Sequence, residues 1–156
     1  MSEDIGKWFE GKVQDALKEL QAQFPAMFYR FPDSHAARNY LQKQPGDHLF
    51  LIKGKAILIE EKCSETHESF RGGFSSLWGK PQAAQHRVWH RAGMPSIIMF
   101  CNRIDETVEV WDGRKLAILR ATGKRIPANM EPMRTGLIKN LKSILLSTAA
   151  ICEVER

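Results

Sequence analysis

Asp47, and thirteen positions later the run Glu60-Glu61-Lys62, combine residue types and a spacing suited to hydrolytic chemistry. Asp47 precedes the apolar run Leu49-Phe50-Leu51-Ile52, and Glu60 follows the apolar run Ile57-Leu58-Ile59. Between the runs, Lys53-Gly54-Lys55 is short and contains glycine, which suits a hairpin turn. Folded as a hairpin, the two runs bring Asp47 across from the end of the second strand. Side chains alternate along a strand, so Glu60 and Lys62 share one face and Glu61 takes the other. The expected partner of Asp47 is therefore Glu60 rather than Glu61. Two neighbouring carboxylates repel and shift each other's pKa values, and a divalent cation relieves the repulsion. Mg²⁺ prefers oxygen ligands and is commonly held by one or two carboxylates with water and substrate phosphate. Such an ion acidifies water and stabilises developing charge, and a lysine beside it orients the nucleophilic water or stabilises charge. An isolated Glu-x-Lys is usually a solvated pair. Here three apolar residues lead directly into Glu60, which sets the charges at the edge of a core.

The elements that must position these residues follow from periodicity. Ile5, Trp8, Phe9, Val13, Ala16, Leu17 and Leu20 recur at helical spacing and predict a helix over 3–23, stopped by Pro25. A short strand is expected from Met27 to Phe31, and a polar loop over 32–46. The strands His48–Lys53 and Ala56–Glu61 are nearly continuous in apolar residues and read as central strands buried on both faces. Residues 63–80 are polar and carry Arg71-Gly72-Gly73, which reads as an exposed loop. Pro81 suits a first helical position, and a helix is expected from Gln82 to Ala92, ended by Gly93. Strands follow at Ser96–Cys101 and Thr107–Trp111, then a turn at Asp112-Gly113. Residues 124–135 read as irregular and Gly136–Ala150 as a last amphipathic helix bearing Leu137, Ile138, Leu141, Ile144 and Leu145. The chain is thus expected to be an α/β or α+β domain, helices framing a mixed sheet.

With 156 residues, 43% of them hydrophobic and 26% charged, the composition suits one soluble domain. The expected organisation is a single domain over 1–156, with 113–156 a C-terminal extension packing on the core. No apolar run approaches the roughly 20 residues of a membrane span, and no apolar signal region follows the acidic start. The three cysteines, Cys63, Cys101 and Cys152, have no CxxC spacing and are expected to be free thiols in a reducing cytoplasm. A net charge of +5 favours an anionic partner, of which nucleic acid is the commonest.

Gly46-Asp47, an apolar strand, a short turn and then Ile59-Glu60-Glu61-Lys62 resemble the PD-(D/E)xK nuclease core, most closely the branch of archaeal-type and Gram-positive-type Holliday junction resolvases and related phage proteins. The resemblance covers roughly residues 5–112. In place of the proline in the family's name stands Gly46, with Pro45 one position further back. The resemblance implies a restriction-endonuclease-like core of order αβββαβ, a mixed sheet flanked by helices. It implies a Mg²⁺-dependent (or Mn²⁺-dependent) DNA endonuclease, acting on branched DNA in recombination or repair as a homodimer, in the cytoplasm of a bacterial or phage-infected cell. In that branch a glutamate on the first helix often completes the metal site. Gly6-Lys7-Trp8-Phe9-Glu10 matches that opening, so Glu10 joins Asp47 and Glu60 as metal ligands. Many members carry a glutamine on the helix after the ExK strand, which here is Gln82, or Gln85 one turn later; such an amide is expected to touch the scissile phosphate or a metal-bound water, and Gln85 is also expected to contact DNA.

Further DNA contacts are expected from Arg30, His35 and Arg38 before Asp47, and from Arg71 in the glycine-bearing segment after Lys62. Lys53, Lys55, Arg87, Arg91, Arg114, Arg120 and Lys142 belong to a basic set spread over the later two thirds, able to neutralise phosphates. His86 and His90 stand four apart but lack a third ligand at zinc-site spacing; His86 is expected on the surface or near DNA. No GxSxG elbow and no phosphate loop is present, which excludes the common serine hydrolases and P-loop ATPases. The alternatives are another PD-(D/E)xK nuclease, of repair, replication-repair or restriction type, or a nuclease-like protein that binds DNA without cutting it.

Overall fold

A computed structural model describes residues 4–32, 46–66 and 68–152. Its centre is a six-stranded mixed sheet whose spatial order follows the chain: β1 (Ala26–Arg30), β2 (His48–Ile52), β3 (Lys55–Ser64), β4 (Ser96–Asn102), β5 (Thr107–Asp112) and β6 (Arg134–Leu137). Every neighbouring pair is antiparallel except β3 and β4, which are parallel. A parallel pair needs a long crossover, and two helices supply it, α2 (Phe70–Leu77) and α3 (Lys80–Arg91). The remaining helices are α1 (Ile5–Gln23), α4 (Gly113–Ala121) and α5 (Leu141–Ile151). The fold is α/β, with helices on both faces of the sheet.

Each face has its own core. On one, Phe9, Val13, Leu17 and Leu20 of α1 and Leu141, Ile144 and Leu145 of α5 meet Phe50, Ile57, Ile59, Met99 and Cys101. On the other, Phe70, Phe74, Trp78 and Ala83 from the crossover and Leu116 and Ala117 of α4 meet Ile98, Phe100 and Trp111. Helix α1 begins where the Asp4 carboxylate accepts from the backbone N–H groups of Gly6 (3.0 Å) and Lys7 (3.3 Å), satisfying donors that the first turn leaves orphaned.

The β2–β3 hairpin turns on Lys53 (φ 49°) and Gly54 (φ 75°), the pair of positive φ angles that a two-residue turn matched to strand twist requires. Its register sets His48 against Ile59 and Ile52 against Lys55. Strand β3 is buried on both faces through its middle, as its apolar run implies. Strand β2 instead alternates between buried and half-buried residues, because beyond β3 only the α1 side of the sheet is fully covered.

Three elements correct the expectations. Residues 70–77 are helical, not an exposed loop: Phe70, Phe74 and Trp78 recur every four residues and are buried, so an aromatic stripe outweighs the glycines. Asp112-Gly113 is a helix start, not a turn. The Asp112 carboxylate accepts from Arg114 N (2.9 Å) and Lys115 N (3.3 Å), and α4 follows. Residues 134–137 form the edge strand β6, and the last helix begins only at Leu141, after a single 3-10 turn over Ile138–Asn140. Leu141, Ile144 and Leu145 are buried as its stripe implies, whereas Leu137 is exposed.

Gly46 carries the fold into the site. A Cβ built there would lie 2.9 Å from the Ile59 carbonyl oxygen and 2.9 Å from Leu58 Cδ1, one of them backbone that cannot yield. Gly46→Ala is expected to lower stability by about 1–3 kcal/mol, measured by denaturant unfolding at unchanged m-value; an unchanged midpoint would show that the strand start relaxes freely.

Candidate functional site

The hairpin register sets Asp47 opposite Glu60. Asp47 N donates to Ile59 O at 2.9 Å, extending the ladder by one residue, and Asp47 Oδ2 accepts from the backbone N–H of Glu61 at 2.7 Å. The carboxylate is thereby held over the strand end. Glu60 and Lys62 lie on the same face of β3, paired with Ile98 and Phe100 of β4, and Lys62 Nζ stands 3.1 Å from Glu60 Oε1. Glu60 is only 3% exposed. Burial first, then the charge of Asp47, push its pKa from 4.5 up to about 8, against the opposing pull of Lys62. Glu60 is thus a buried carboxyl poised to hold a proton near neutrality.

Glu61 lies on the opposite face, as strand alternation requires, and does something the sequence reading did not foresee. Its carboxyl makes a short hydrogen bond to Nδ1 of His48, also fully buried, while Gln14 Oε1 of α1 stands 3.4 Å from His48 Nε2. Burial, with the Asp47 charge adding to it, raises the Glu61 pKa; burial lowers that of His48 to about 4. Both directions disfavour charge, so the two side chains share one proton, and an Nε2–H on His48 can donate to Gln14. The missed signal was present in the sequence: His48 faces Ile59 across the hairpin, and Glu61 follows Ile59 by two on the same strand face, so the register that sets Asp47 opposite Glu60 leaves His48 diagonal to Glu61 on the other face.

Glu10 comes from α1 to the same neighbourhood. It is half-buried, its Oε2 accepts from Arg30 Nη2 at 3.2 Å, and its charge adds to those raising the pKa values of Glu60 and Glu61. Arg30 ends β1 opposite His48, so two expected site residues are brought together as an ion pair. Gln82 caps the first turn of α3, its Oε1 3.4 Å from Gly79 N; its recorded hydrogen bond is with that backbone and not with the carboxylates. Gln85 is half-buried one turn on. His35 and Arg38 lie outside the described residues.

Two expectations change. Arg71 is not a loop residue free to follow a nucleic-acid backbone. It sits in the first turn of α2, donates to the carbonyls of Pro127 and Met130 (2.6 Å to the latter), and stacks over Trp111 at 5.5 Å. His86 is not on the surface: it is fully buried, edge-on to Trp78 at 5.1 Å between ring centres, and among the described residues neither ring nitrogen has a hydrogen-bond partner. Its neighbour four residues on, His90, is only half-buried, and among the described residues no third ligand joins the two.

The donors that Asp47, Glu60 and Glu10 offer are all carboxylate oxygens, which suits a hard divalent cation. The fit rests on Glu60, whose buried carboxyl lies against a second negative charge with a single lysine to compensate. Among the described residues no three His, Cys, Asp or Glu side chains form a group that could cage an ion. A cation held by one or two carboxylates would therefore complete its coordination from water or phosphate, as Mg²⁺ commonly does. No protein-family model matches the chain, and no curated protein matches it at a significant level.

Two outcomes follow from this geometry. A carboxyl whose folded pKa lies above its unfolded value binds its proton more tightly when folded, so its linked contribution is fully present below the unfolded value and is lost as pH rises through the folded one. For Glu60 that window runs from 4.5 to about 8. In EDTA, thermal unfolding of the unsubstituted protein should lose stability across that window more steeply than Glu60→Gln, by on the order of a few kcal/mol; parallel pH curves would contradict a buried, proton-holding Glu60. Separately, His48→Ala leaves Glu61 buried without its partner. A loss of about 1–3 kcal/mol is expected in denaturant unfolding, the cost of a buried polar group left unsatisfied, and an unchanged midpoint would mean that Glu61 finds water instead.

Proposed function

We propose that this chain is a Mg²⁺-dependent DNA endonuclease of the PD-(D/E)xK type that hydrolyses phosphodiester bonds in branched DNA, Holliday junctions foremost. The observation that carries the reading is the conjunction at one hairpin: Asp47 opposite Glu60, and Glu60 buried with Lys62 Nζ at 3.1 Å. Purely structural strand ends seldom bury a carboxyl beside a like charge, because desolvation and repulsion both oppose it. Perturbed ionisable groups of this kind cluster at functional sites.

Asp47 and Glu60 would hold the metal, with Glu10 as the third carboxylate once its pairing to Arg30 is exchanged for the ion. When bound, the cation supplies a more acidic water and a counter-charge for the phosphate. The chain's own groups do the rest. Glu60 must lose the proton that its burial favours, so cation binding is expected to release a proton. Lys62, tethered through Glu60 and one-fifth exposed at its side chain, is placed to orient the attacking water and to stabilise charge developing on the phosphate oxygens. Arg30, half-exposed beside Glu10, is available to a phosphate when that pair opens. Gln82 would align the scissile phosphate only by leaving its capping bond to Gly79, which makes it the least supported member of the set. A homodimer, one subunit for each cut strand of a symmetric junction, belongs to the same reading.

The test is cleavage of a labelled four-way junction, a flap and a linear duplex with Mg²⁺, Mn²⁺ or EDTA. Metal-dependent cleavage of the junction is expected, reduced at least about 10²-fold in Glu60→Ala and in Lys62→Ala, while both variants retain binding in a mobility-shift assay. Cleavage of the flap or duplex instead would keep the site and replace the substrate. Binding without cleavage under every condition would leave a DNA-binding protein without nuclease activity.

A further inference from the structure

The three cysteines differ sharply in their surroundings, and two of them are neighbours. Strands β3 and β4 run parallel with Cys63 directly opposite Cys101. Residues so paired present their side chains on the same face, here the one covered by α1 and α5, where Cys101 is fully buried and Cys63 packs at the margin. Each thiol is the largest influence on the other's pKa, lowering Cys63 and raising Cys101. Cys63 is half-buried and so reachable from solvent. Arg103, whose guanidinium lies 4.5 Å over the Trp8 ring, adds positive charge beside it.

We propose that Cys63 and Cys101 form an oxidisable dithiol, a site at which hydrogen peroxide or another hydroperoxide converts the pair into an intramolecular disulfide. Neighbouring strands lie about 4.8 Å apart, inside the Cα spacing of roughly 4.4–6.8 Å that disulfides tolerate. The two side chains leave paired positions on the same face, so little backbone movement is needed. The Cys101 thiol donates to the Cys63 sulfur and Arg103 favours its anion, together holding Cys63 below the ordinary thiol value, while Cys101 is pushed up. Roles divide accordingly: Cys63 attacks and Cys101 resolves.

The steps balance. The Cys63 thiolate attacks one peroxide oxygen and the O–O bond breaks. Hydroxide leaves and takes up a proton, giving the sulfenic acid and one water. The Cys101 sulfur then displaces hydroxide from the Cys63 sulfur: the S–S bond forms, the S–O bond breaks, and the departing hydroxide takes the Cys101 proton to give a second water. In sum, two thiols and one hydrogen peroxide yield one disulfide and two waters. Cys152, buried at the end of α5 and pushed up to about 11 mainly by that burial, has no such partner and serves as the internal comparison.

The experiment uses the full chain treated with graded hydrogen peroxide, followed by alkylation with N-ethylmaleimide in denaturant and tryptic mass spectrometry; Lys62, Arg71 and Arg103 ensure that Cys63 and Cys101 fall in separate peptides. The expected product is a Cys63–Cys101-linked peptide, lacking two hydrogens, monomeric on a non-reducing gel and reversed by dithiothreitol. Cys152 should remain alkylated at peroxide levels roughly tenfold higher. In Cys101→Ser, oxidation should stop at a Cys63 sulfenic acid captured by dimedone. Oxidation of Cys152 as readily as Cys63, links only between chains, or three alkylated thiols throughout would each overturn the proposal. The unsubstituted protein decides this even if the variant does not fold, and the readout is independent of any cleavage activity.

Discussion

Everything placed at the candidate site hangs on the register of the β2–β3 hairpin. Two residues with positive φ, Lys53 and Gly54, close the turn, and side-chain alternation does the rest. One choice of register brings Asp47 over Glu60 on one face and, on the other, sets His48 over Ile59 and within hydrogen-bond reach of Glu61. A slip by a single residue would exchange the faces. It would bury Glu60 and Lys62 beneath α1 and turn Ile57 and Ile59 away from their core. The apolar set and the ionisable set therefore select the same register. The close approach of Gly46 to the Ile59 carbonyl locks it at the open end of the hairpin, where the turn has least control.

That arrangement is costly by itself. Glu60 and Glu61 are adjacent, both buried, and both feel Asp47. The two faces resolve the cost differently. Behind the sheet, Glu61 hydrogen-bonds His48, whose far ring nitrogen faces Gln14, while the second Glu61 carboxyl oxygen is buried without a hydrogen-bond partner among the described residues. In front, Glu60 pairs with Lys62, and its pKa is raised to about 8. The back sets its carboxyl against a buried imidazole whose pKa is held low, whereas the front sets its carboxyl beside Asp47 and a partly exposed lysine. That contrast, more than the presence of acids as such, directs a functional reading to Glu60 rather than Glu61.

Much of this was legible in the residues. The thirteen-residue separation and the strand period sufficed to place Asp47, Glu60 and Lys62, because a hairpin is a local structure and its geometry follows from loop length. Helix α1 was legible for the same reason, its apolar stripe being one uninterrupted signal. What was hidden depends on long-range packing or on polar residues with two uses. Phe70, Phe74 and Trp78 sit among glycines and serines that dilute the helical pattern of α2. Asp112-Gly113 serves a turn or a helix cap equally well, and only α4 behind it decides. The burial of His86 follows from Trp78 and the crossover helices, which no local pattern reports.

The basic residues carry the same lesson into the electrostatics. A net charge of +5 suggests a broad cationic surface, yet several of those cations are internal fasteners. Arg71 binds two carbonyls of the segment before β6, Arg120 binds the carbonyls of Ser75 and Trp78 (2.9 and 2.8 Å), and Lys55 binds the Ala149 carbonyl at 2.8 Å. Lys142 pairs with Glu19 of α1 at 2.9 Å. These bonds join α2 to its following loops, α4 to α2, and α5 to both β3 and α1. Their cationic ends meet backbone oxygen or an acid of the same chain, so part of the formal charge is used in holding the helices to the sheet. Charge composition is therefore a weaker argument for a nucleic-acid partner here than the pI of about 9.2 implies. The case for phosphodiester chemistry rests instead on Glu60, buried beside Asp47 at the open end of the hairpin, where a bound cation would offset the like charges.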